Sequence, residues 1–589
     1  MSILKKLLLV TTTLIVTIII IGGGWLWWNR PQKVDMSGYV PADSIVFIEA
    51  NSLPDIVEGF RSTDAWRSLA PLVADENNLE RAGWLSKLVW WTGIGPAEAV
   101  VLSRAQVAVT VIGFEANEGD ATTLRIVPRA ALVAETHTGE ARVRAAVEKL
   151  VGDFARRAYR APRIERKDMD GTSFVTWSAP GEPRRKIVAA VSESVAVIGN
   201  DEAVVESCLA ARHGERPTLI GNPQLADARA RLSAGDALAF GFVSEGNAAK
   251  LLEVAVLPYV GQLSSNQQIQ SGAASLLPQL SNKILGVAGW SARVTNGRME
   301  DRYFITLRNG LAPRMREALV ASDDAAPTPA AKLLPADSRQ VTQYRYQEPE
   351  AAWRGFNAAI ASQLDALSAP FLSVLLDEAL KPYGIESPRS FLRATKAPIT
   401  TARLGQERGG TVLIVAVKDQ QTLREQVRKR LGNSPRRTRV GEAEMFVSDR
   451  PERGAAGYVA EHLIMGSEES VRRCLEASAN HQTLDTVEGF KRAVRLIPAG
   501  SPAGVLTLTI EDESINSFVS YLAAASRRDG TATNHNEFRE RLERESFAVT
   551  LTELKEDGFM RQTFSAFGQL GDAVGRFAPQ RTDDPDTSR

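Results

Sequence analysis

The sequence predicts an α+β protein in which an N-terminal transmembrane helix is followed by a tandemly duplicated ectodomain of antiparallel sheets packed with helices. Three observations predict it. A single apolar segment covers residues 7–28. The motif Val40-Pro41-Ala42-Asp43-Ser44 returns as Leu334-Pro335-Ala336-Asp337-Ser338. Downstream of each motif the same order of short alternating strands and charged helical stretches recurs, which reads as antiparallel meanders with helices between them.

Residues 7–28 are interrupted only by Thr and Gly and are long enough to cross a hydrocarbon layer of about 30 Å at about 1.5 Å per residue. Lys5 and Lys6 precede the segment, so residues 1–6 are expected in the cytoplasm and the rest of the chain on the periplasmic or other extracytoplasmic side of a cell inner membrane. A cleaved signal peptide is the competing reading, because residues 7–21 have h-region length. No Ala-x-Ala site follows, however, and Trp25, Trp27 and Trp28 have the character of an interfacial belt, which favours an uncleaved signal anchor.

At 589 residues the chain exceeds one core, and at roughly 100–200 residues per domain it holds about three to five units. Hydrophobic residues at 44% and charged residues at 24% are a globular composition. Lys plus Arg equals Asp plus Glu at 70 each, so no global field attracts nucleic acid. The basic runs Arg184-Arg185-Lys186 and Arg428-Lys429-Arg430 are short and read as solvated faces. Two cysteines do not make a disulfide framework, and Cys208 and Cys474, one alignment position apart in the two copies, read as small core residues.

The first repeat is placed at 40–310. Its opening strand, 45–50, is followed by Asn51 and Ser52, which can cap a helix with Pro54 in its first turn. In the second repeat, 334–568, a strand at 341–346 precedes a helix from Pro349. Both helices contain Gly-Phe, at Gly59-Phe60 and Gly355-Phe356. Apolar helical stretches at 84–91 and 371–380 then lead to Gly93-Ile94 and Gly384-Ile385. The middle of each repeat has a strand and a charged helix, 131–136 with 140–150 and 412–417 with 422–431. Short strands follow at 173–178, 186–191 and 195–198, against 445–448, 457–460 and 463–465. The turns Asp170-Gly171 and Gly441-Glu442 carry a Gly that accepts positive φ. Helices at 201–212 and 468–477 come next.

A deeper repeat starts at about 232 and 497, where Leu232-Ser233-Ala234-Gly235-Asp236 and Ile497-Pro498-Ala499-Gly500-Ser501 echo the opening motif before strands 238–243 and 504–510. Two strands close each half, 287–294 with 301–307 and 547–554 with 559–565. Residues 321–332, rich in Ala, Pro and Asp, read as a linker that few contacts cross, and 580–589 as a disordered tail.

No catalytic, cofactor-binding or metal-ligating set emerges. Asp168-Met169-Asp170-Gly171 lacks the Gly and Glu spacing of an EF-hand and reads as a hairpin turn. His137, His213, His462, His481 and His535 show no short spacing for zinc, and Glu461 and His462 are expected on opposite faces of a strand. Gly289-Trp290-Ser291-Ala292-Arg293 begins like a nucleophile elbow but ends in Arg and lies within a strand pattern. Trp84, Leu88 and Trp91 fall at helical spacing. Core packing is the leading reading of this stripe, and contact with the membrane surface is the other.

The short basic N-terminus, the single anchor, the Pro-Ala-Asp strand motif, the Gly-Ile after the second helix and the Met465-Gly466-Ser467-Glu468-Glu469 step together resemble a bacterial domain-of-unknown-function family, number thirty-three fifty-two, of single-pass membrane-anchored proteins common in cyanobacteria. The sequence departs from that pattern at 339–346, where the second opening strand is unusually polar. The resemblance implies no activity. The expectation is a non-enzymatic, membrane-anchored binding or scaffold protein with a protein partner in an envelope assembly. The alternatives are a carrier of a lipid or other apolar ligand and a hydrolase with a dispersed site. No nucleic-acid partner and no cofactor are expected.

Overall fold

Several of the inner strands follow apolar alternation and end at turn residues with positive φ. The computed structural model describes residues 33–73, 95–118, 124–169, 171–260, 267–322, 329–365, 368–405, 410–432, 434–511 and 547–577. The transmembrane segment expected at 7–28, the tail at 580–589, the stripe at 84–91, Gly93-Ile94 and His535 lie outside the described residues. Among the described residues, no helix is long and apolar enough to cross a membrane.

The first half opens with Val46–Ala50 (β1), helices Leu53–Arg61 (α1), Asp64–Val73 (α2) and Pro96–Leu102 (α3), and the long hairpin Gln106–Glu118 (β2) and Leu124–Glu135 (β3). Helix Glu140–Tyr159 (α4) leads into the meander Arg163–Met169 (β4), Thr172–Ala179 (β5), Glu182–Ser192 (β6) and Val195–Gly199 (β7), and then Glu202–Arg212 (α5) and Pro223–Leu232 (α6). Ala239–Val243 (β8), Asn247–Val260 (α7), Gln267–Ile284 (α8), Leu285–Thr295 (β9), Arg298–Leu307 (β10) and Leu311–Arg316 (α9) complete it.

The second half starts with Gln340–Tyr344 (β11), Pro349–Ala361 (α10), Ser368–Leu380 (α11), Pro388–Arg393 (α12), Thr395–Arg403 (β12) and Thr411–Val417 (β13). It continues with Gln420–Leu431 (α13), Arg436–Val440 (β14), Ala443–Val447 (β15), Ala455–Val459 (β16), His462–Gly466 (β17), Glu468–Ala479 (α14) and Glu488–Val494 (α15). Val505–Ile510 (β18), Phe547–Leu554 (β19), Gly558–Ser565 (β20) and Gly568–Phe577 (α16) close it.

Side-chain caps satisfy the first free N–H groups of several helices. Ser52 accepts from Asp55 N at 3.2 Å, Asp201 from Val204 N at 3.3 Å and Ser467 from Ser470 N at 3.2 Å. Hairpins turn where φ is positive, at Gly171 (77°), Gly441 (57°) and the pair Asn296 (52°) and Gly297 (74°), and Met169 pairs with Thr172 at the end of the β4 and β5 hairpin, where the sequence places a turn.

The strands of the described residues form one twenty-stranded antiparallel sheet. From one edge to the centre its order is β4, β5, β6, β7, β3, β2, β1, β8, β9, β10. From the centre to the other edge it is β20, β19, β18, β11, β12, β13, β17, β16, β15, β14. Each pairing in the first half therefore has its equivalent ten strands later. The two halves meet where β10 and β20 pair over eight residues, from Met299 with Ser565 to Thr306 with Gly558. Tyr303 and Arg561 face each other within this ladder, and the Arg561 guanidinium lies 6.0 Å from the Tyr303 ring centre. Each stands seven residues before a left-handed glycine that opens the next helix, Gly310 (φ 64°) or Gly568 (φ 63°).

Helices cover both faces of the sheet. α5 lays Val204, Val205, Cys208 and Leu209 against Val133, Val188 and Val197, and α4 lays Val143, Val147 and Val151 on the other face against Val175, Trp177 and Ala189. Each such aliphatic side chain contributes on the order of 1.5–3 kcal/mol by leaving water. Cys208 and Cys474 are fully buried free thiols in different core clusters, which agrees with their reading as core residues. Burial pushes both thiols up to about 12.

Three expectations need correction. Few contacts were expected to cross between the halves, but the β10 and β20 ladder fuses them, because an antiparallel edge can satisfy its free N–H and C=O groups only by pairing or by solvent. The predicted linker is built into the fold at both ends. Ala321 bridges Tyr346, and a 3-10 turn at Pro329–Leu333 buries Ala330 and Ala331 in the second core, where small side chains pack closely. Glu461 is a turn residue beside Ala460 (φ 48°) and not a strand residue, while His462 begins β17.

Candidate functional site

The seam between the halves gathers several carboxyl groups whose protonation is shifted by burial and hydrogen bonding. The tight Asn296-Gly297 turn fixes the register of β9 with β10, so that Met299, Asp301 and Tyr303 point to one face of the sheet and Glu300 and Arg302 to the other. Helix α16 packs on the Asp301 face. Asp301 is 2% exposed. Its carboxylate accepts from the Trp290 indole N–H at 2.8 Å and from Gln569 N–H, in the first turn of α16, at 3.0 Å.

Burial dominates at Asp301. Loss of water raises its pKa to about 6, against the opposing pull of the Trp290 and Gln569 hydrogen bonds, and the charges of Asp572 and Glu300 push in the same direction as burial. Glu511, the first residue after β18, accepts from Ala566 N–H at 2.9 Å. Burial pushes it up to about 8, with Asp572 and Asp301 adding to the rise while the Ala566 hydrogen bond and Arg298 oppose it. Arg298, 4% exposed, donates to Phe547 O at 3.0 Å and ties β10 to the start of β19.

Across the sheet, Glu300 is fully buried yet held in the opposite state. Burial works to raise its pKa, but hydrogen bonds from Thr295 at 2.5 Å, from Arg302 and from Gln562 at 2.7 Å outweigh it and keep the carboxylate below its ordinary range. Two neighbouring residues of one strand thus carry carboxyl groups with opposite protonation preferences. Gln562 belongs to β20, so this network also crosses the seam.

The strand order recurs between the halves, but among the described residues the acidic cluster occurs once. Counting from the left-handed glycines, Asp301 corresponds to Phe559 and Asp572 to Arg314. Glu511 corresponds to Glu245, which is open to solvent and pairs with Arg308 at 2.8 Å. The arrangement can exchange protons near neutral pH. Among the described residues, no group of three His, Cys, Asp or Glu has the geometry to hold a metal ion.

The residues weighed from sequence lie elsewhere. His137 faces Gln106 and Glu135, and His213 Nε2 sits 3.2 Å from Ser192 Oγ. Burial holds His462 below its ordinary pKa. Ser291 is fully buried within β9, with its hydroxyl 3.4 Å from Leu232 O, which fits the reading of Gly289–Arg293 as strand. Arg185 stacks over Tyr159 at 5.4 Å and Arg430 donates to Arg453 O at 3.1 Å, so neither basic run is wholly a free solvated face. Sequence reasoning missed Asp301, Glu511 and Arg298. The run Arg298-Met299-Glu300-Asp301-Arg302, with four charges in five strand positions, was the available signal.

Two open clefts complete the surface. One, about 410 Å³, is lined by Ser322, Gln347, Glu348, Thr395, Lys396 and Lys418. The other, about 380 Å³, lies between α9 and α10 and includes Arg314, Glu317, Arg354 and Gly355. Gly355 is required there, because a Cβ would come within 2.1 Å of the Ala318 Cβ. No family model, no curated protein and no solved structure matches the chain.

Proposed function

We propose that the protein is a membrane-anchored, extracytoplasmic binding or scaffold protein built by tandem duplication, with residues 7–28 as its anchor and a protein partner in an envelope assembly. The observation that carries this reading is the unbroken ladder through β10 and β20, which turns two equivalent halves into one stiff platform. The recurrence of every strand pairing ten strands later supports the duplication. A scaffold needs fixed geometry between distant surfaces, and a continuous sheet with helices on both faces supplies it. The two clefts, lined by Lys, Arg and Glu side chains, suit polar contacts better than an apolar cargo.

Gentle crosslinking of the full-length protein in native membranes, followed by purification and mass spectrometry, tests the reading. A defined protein partner recovered at fixed stoichiometry, with crosslinks on the described domain, is expected. Recovery of the protein alone, with lipid bound at fixed stoichiometry, would favour the carrier reading instead.

A second reading, a hydrolase with a dispersed site, draws on the raised carboxyl groups of Asp301 and Glu511, since such shifts concentrate at functional sites. Against it stands the 2% exposure of Asp301, which leaves no approach for a substrate. Turnover of any ester, glycoside or peptide substrate that Asp301→Asn abolishes without lowering Tm would establish it.

A further inference from the structure

The described chain begins with a segment that is not a tether. Val34 exchanges two hydrogen bonds with one side chain, its N–H donating to Gln106 Oε1 at 2.8 Å and its carbonyl accepting from Gln106 Nε2 at 2.9 Å. Asp35 receives two bonds from Arg229, at 3.0 and 2.8 Å, and caps the 3-10 turn Met36–Tyr39 by accepting from Ser37 N. The same guanidinium reaches Glu49 on β1 at 3.0 and 2.9 Å and lies 6.0 Å from the Phe240 ring centre. Met36 and Val40 are fully buried in the first core, and the Tyr39 hydroxyl donates to buried Glu135 at 3.1 Å.

Arg229 is the centre of this clamp. Burial would raise Asp35, but the hydrogen bonds from Arg229 and Ser37 and the Arg229 charge bring it down to about 2. The strap is thereby fixed to β1, β2, β3 and α6 at once. It lies at the end of the sheet formed by Ala50, Gln106, Glu135, the β6 to β7 turn at Glu193 and the start of β8 at Ala239.

We propose that this end of the first half is a docking face for the bilayer surface, held toward the lipid headgroups by the Lys33–Val40 strap. The proposal rests on reading residues 7–28 as the anchor. Only residues 29–33 then separate Trp28 from the clamped Val34, a span of about 17 Å at most for five extended residues. A domain clamped so near its anchor cannot present its opposite end, where β5 turns into β6 at Glu182, to the membrane.

The two native cysteines are fully buried, so one added exposed cysteine can be labelled selectively on the full-length protein. Glu193→Cys marks the near end and Glu182→Cys the far end of the same strand, about 26 Å apart, because Glu182 pairs with Ala179 across a register shift and the two positions lie about eight steps of about 3.3 Å from each other along the sheet. Each variant, carrying a donor dye, is reconstituted into nanodiscs of neutral lipid doped with a headgroup-linked acceptor. Transfer from position 193 is expected to exceed transfer from position 182 by at least about twofold, given that separation. A flexible twenty-residue Gly-Ser insertion between residues 32 and 33 is expected to remove the difference.

Equal transfer from both positions without the insertion, or stronger transfer from position 182, would overturn the docking face while leaving the anchor intact. A difference that survives the insertion would overturn the role of the strap. Failure of the protein to enter the nanodiscs at all, with quantitative release by alkaline carbonate from native membranes, would overturn the anchor and the docking face together.

Discussion

Raising pH through the slightly acidic range should weaken the fold through one residue, Asp301. Its folded pKa of about 6 lies above the ordinary value of 3.8, so the native state holds the proton more tightly than the unfolded chain does. The stabilisation this gives is fully present below about pH 4 and is lost as pH rises through about 6. A shift of about two units at about 1.4 kcal/mol each corresponds to about 3 kcal/mol, and the 2% exposure of the side chain leaves little solvent screening to reduce it. Urea denaturation of the domain from Lys33 to Phe577, at half-unit steps from pH 4 to pH 7, reads the effect. Asp301→Asn removes the titration. The Asn carbonyl can accept from only one of the two donors, Trp290 N–H and Gln569 N–H, and its amide group faces the other, which costs about 1–3 kcal/mol. The variant should therefore be the less stable protein at pH 4 and should gain on the wild type by about 3 kcal/mol on the way to pH 7. A difference between the two proteins that stays constant across this window would refute the reasoning, because the carboxyl group would then titrate at its ordinary value.

Three other outcomes are expected. Glu511→Gln should flatten the loss of stability between about pH 4.5 and pH 8, since over that range a group raised to about 8 in the fold keeps a proton that the unfolded chain has already released, and thermal melts at pH 5 and pH 8 check this. Arg229→Met should cost about 3–5 kcal/mol in urea denaturation by leaving the buried carboxylate of Glu49 without its cation, and adding Glu49→Gln should recover a large part of the loss. Gly558→Val should open the seam, because a Cβ at that position would meet Ile305 O at 2.0 Å, and hydrogen exchange should then show the amides of β10 and β20 losing protection before those of β2 and β13.

Local structure was legible wherever a residue announces its own constraint. Ser52, Asp201 and Ser467 cap the helices that their identities indicate, and Gly171 and Gly441 turn the hairpins that need positive φ. The outermost strands were not legible. β4 reads Arg-Ile-Glu-Arg-Lys-Asp-Met and is exposed along almost its whole length, so no apolar face marks its period. Charges on an edge strand are a protection against further pairing, and the same charges hide the strand from periodicity. β14, with Arg436, Arg437 and Arg439, is hidden in the same way. The closure of β10 on β20 joins residues about 260 positions apart, and nothing in either strand names its partner. The acidic cluster was invisible for the same reason, since Asp301, Glu511 and Asp572 become neighbours only when that closure is made.

On the duplication reading, the differences between the halves show what this fold requires and what it tolerates. The opening turn is kept atom for atom, with Ser44 donating to Pro41 O and Ser338 to Pro335 O, both at 2.7 Å. The Asp in each motif is neutralised by an arginine, but the arginine comes from different places. Arg473 on α14 reaches Asp337 directly, at 2.6 and 2.8 Å. In the first half the corresponding helix position is Ser207, and Arg216 enters from the following loop, bonding Asp43 at 2.7 Å and Ser207 at 2.9 Å. The requirement is therefore for a cation at a point in space and not for a residue at a point in sequence. The strap clamp behaves differently. Glu49 has Gln343 as its counterpart, and counting from the helix N-caps Asn222 and Val487, Arg229 has Val494, so the second half carries neither charge at these positions. Gln343 is left fully buried with neither amide atom hydrogen-bonded, a cost of about 1–3 kcal/mol that the second half bears. A fold under pressure only for stability would have replaced Gln343 with an apolar residue, or Glu49 and Arg229 with an apolar pair. On the proposed reading of residues 7–28 as an anchor, the buried ion pair kept by the first half is the one holding the strap that leads to it, which ties the charges to the attachment and not to the core.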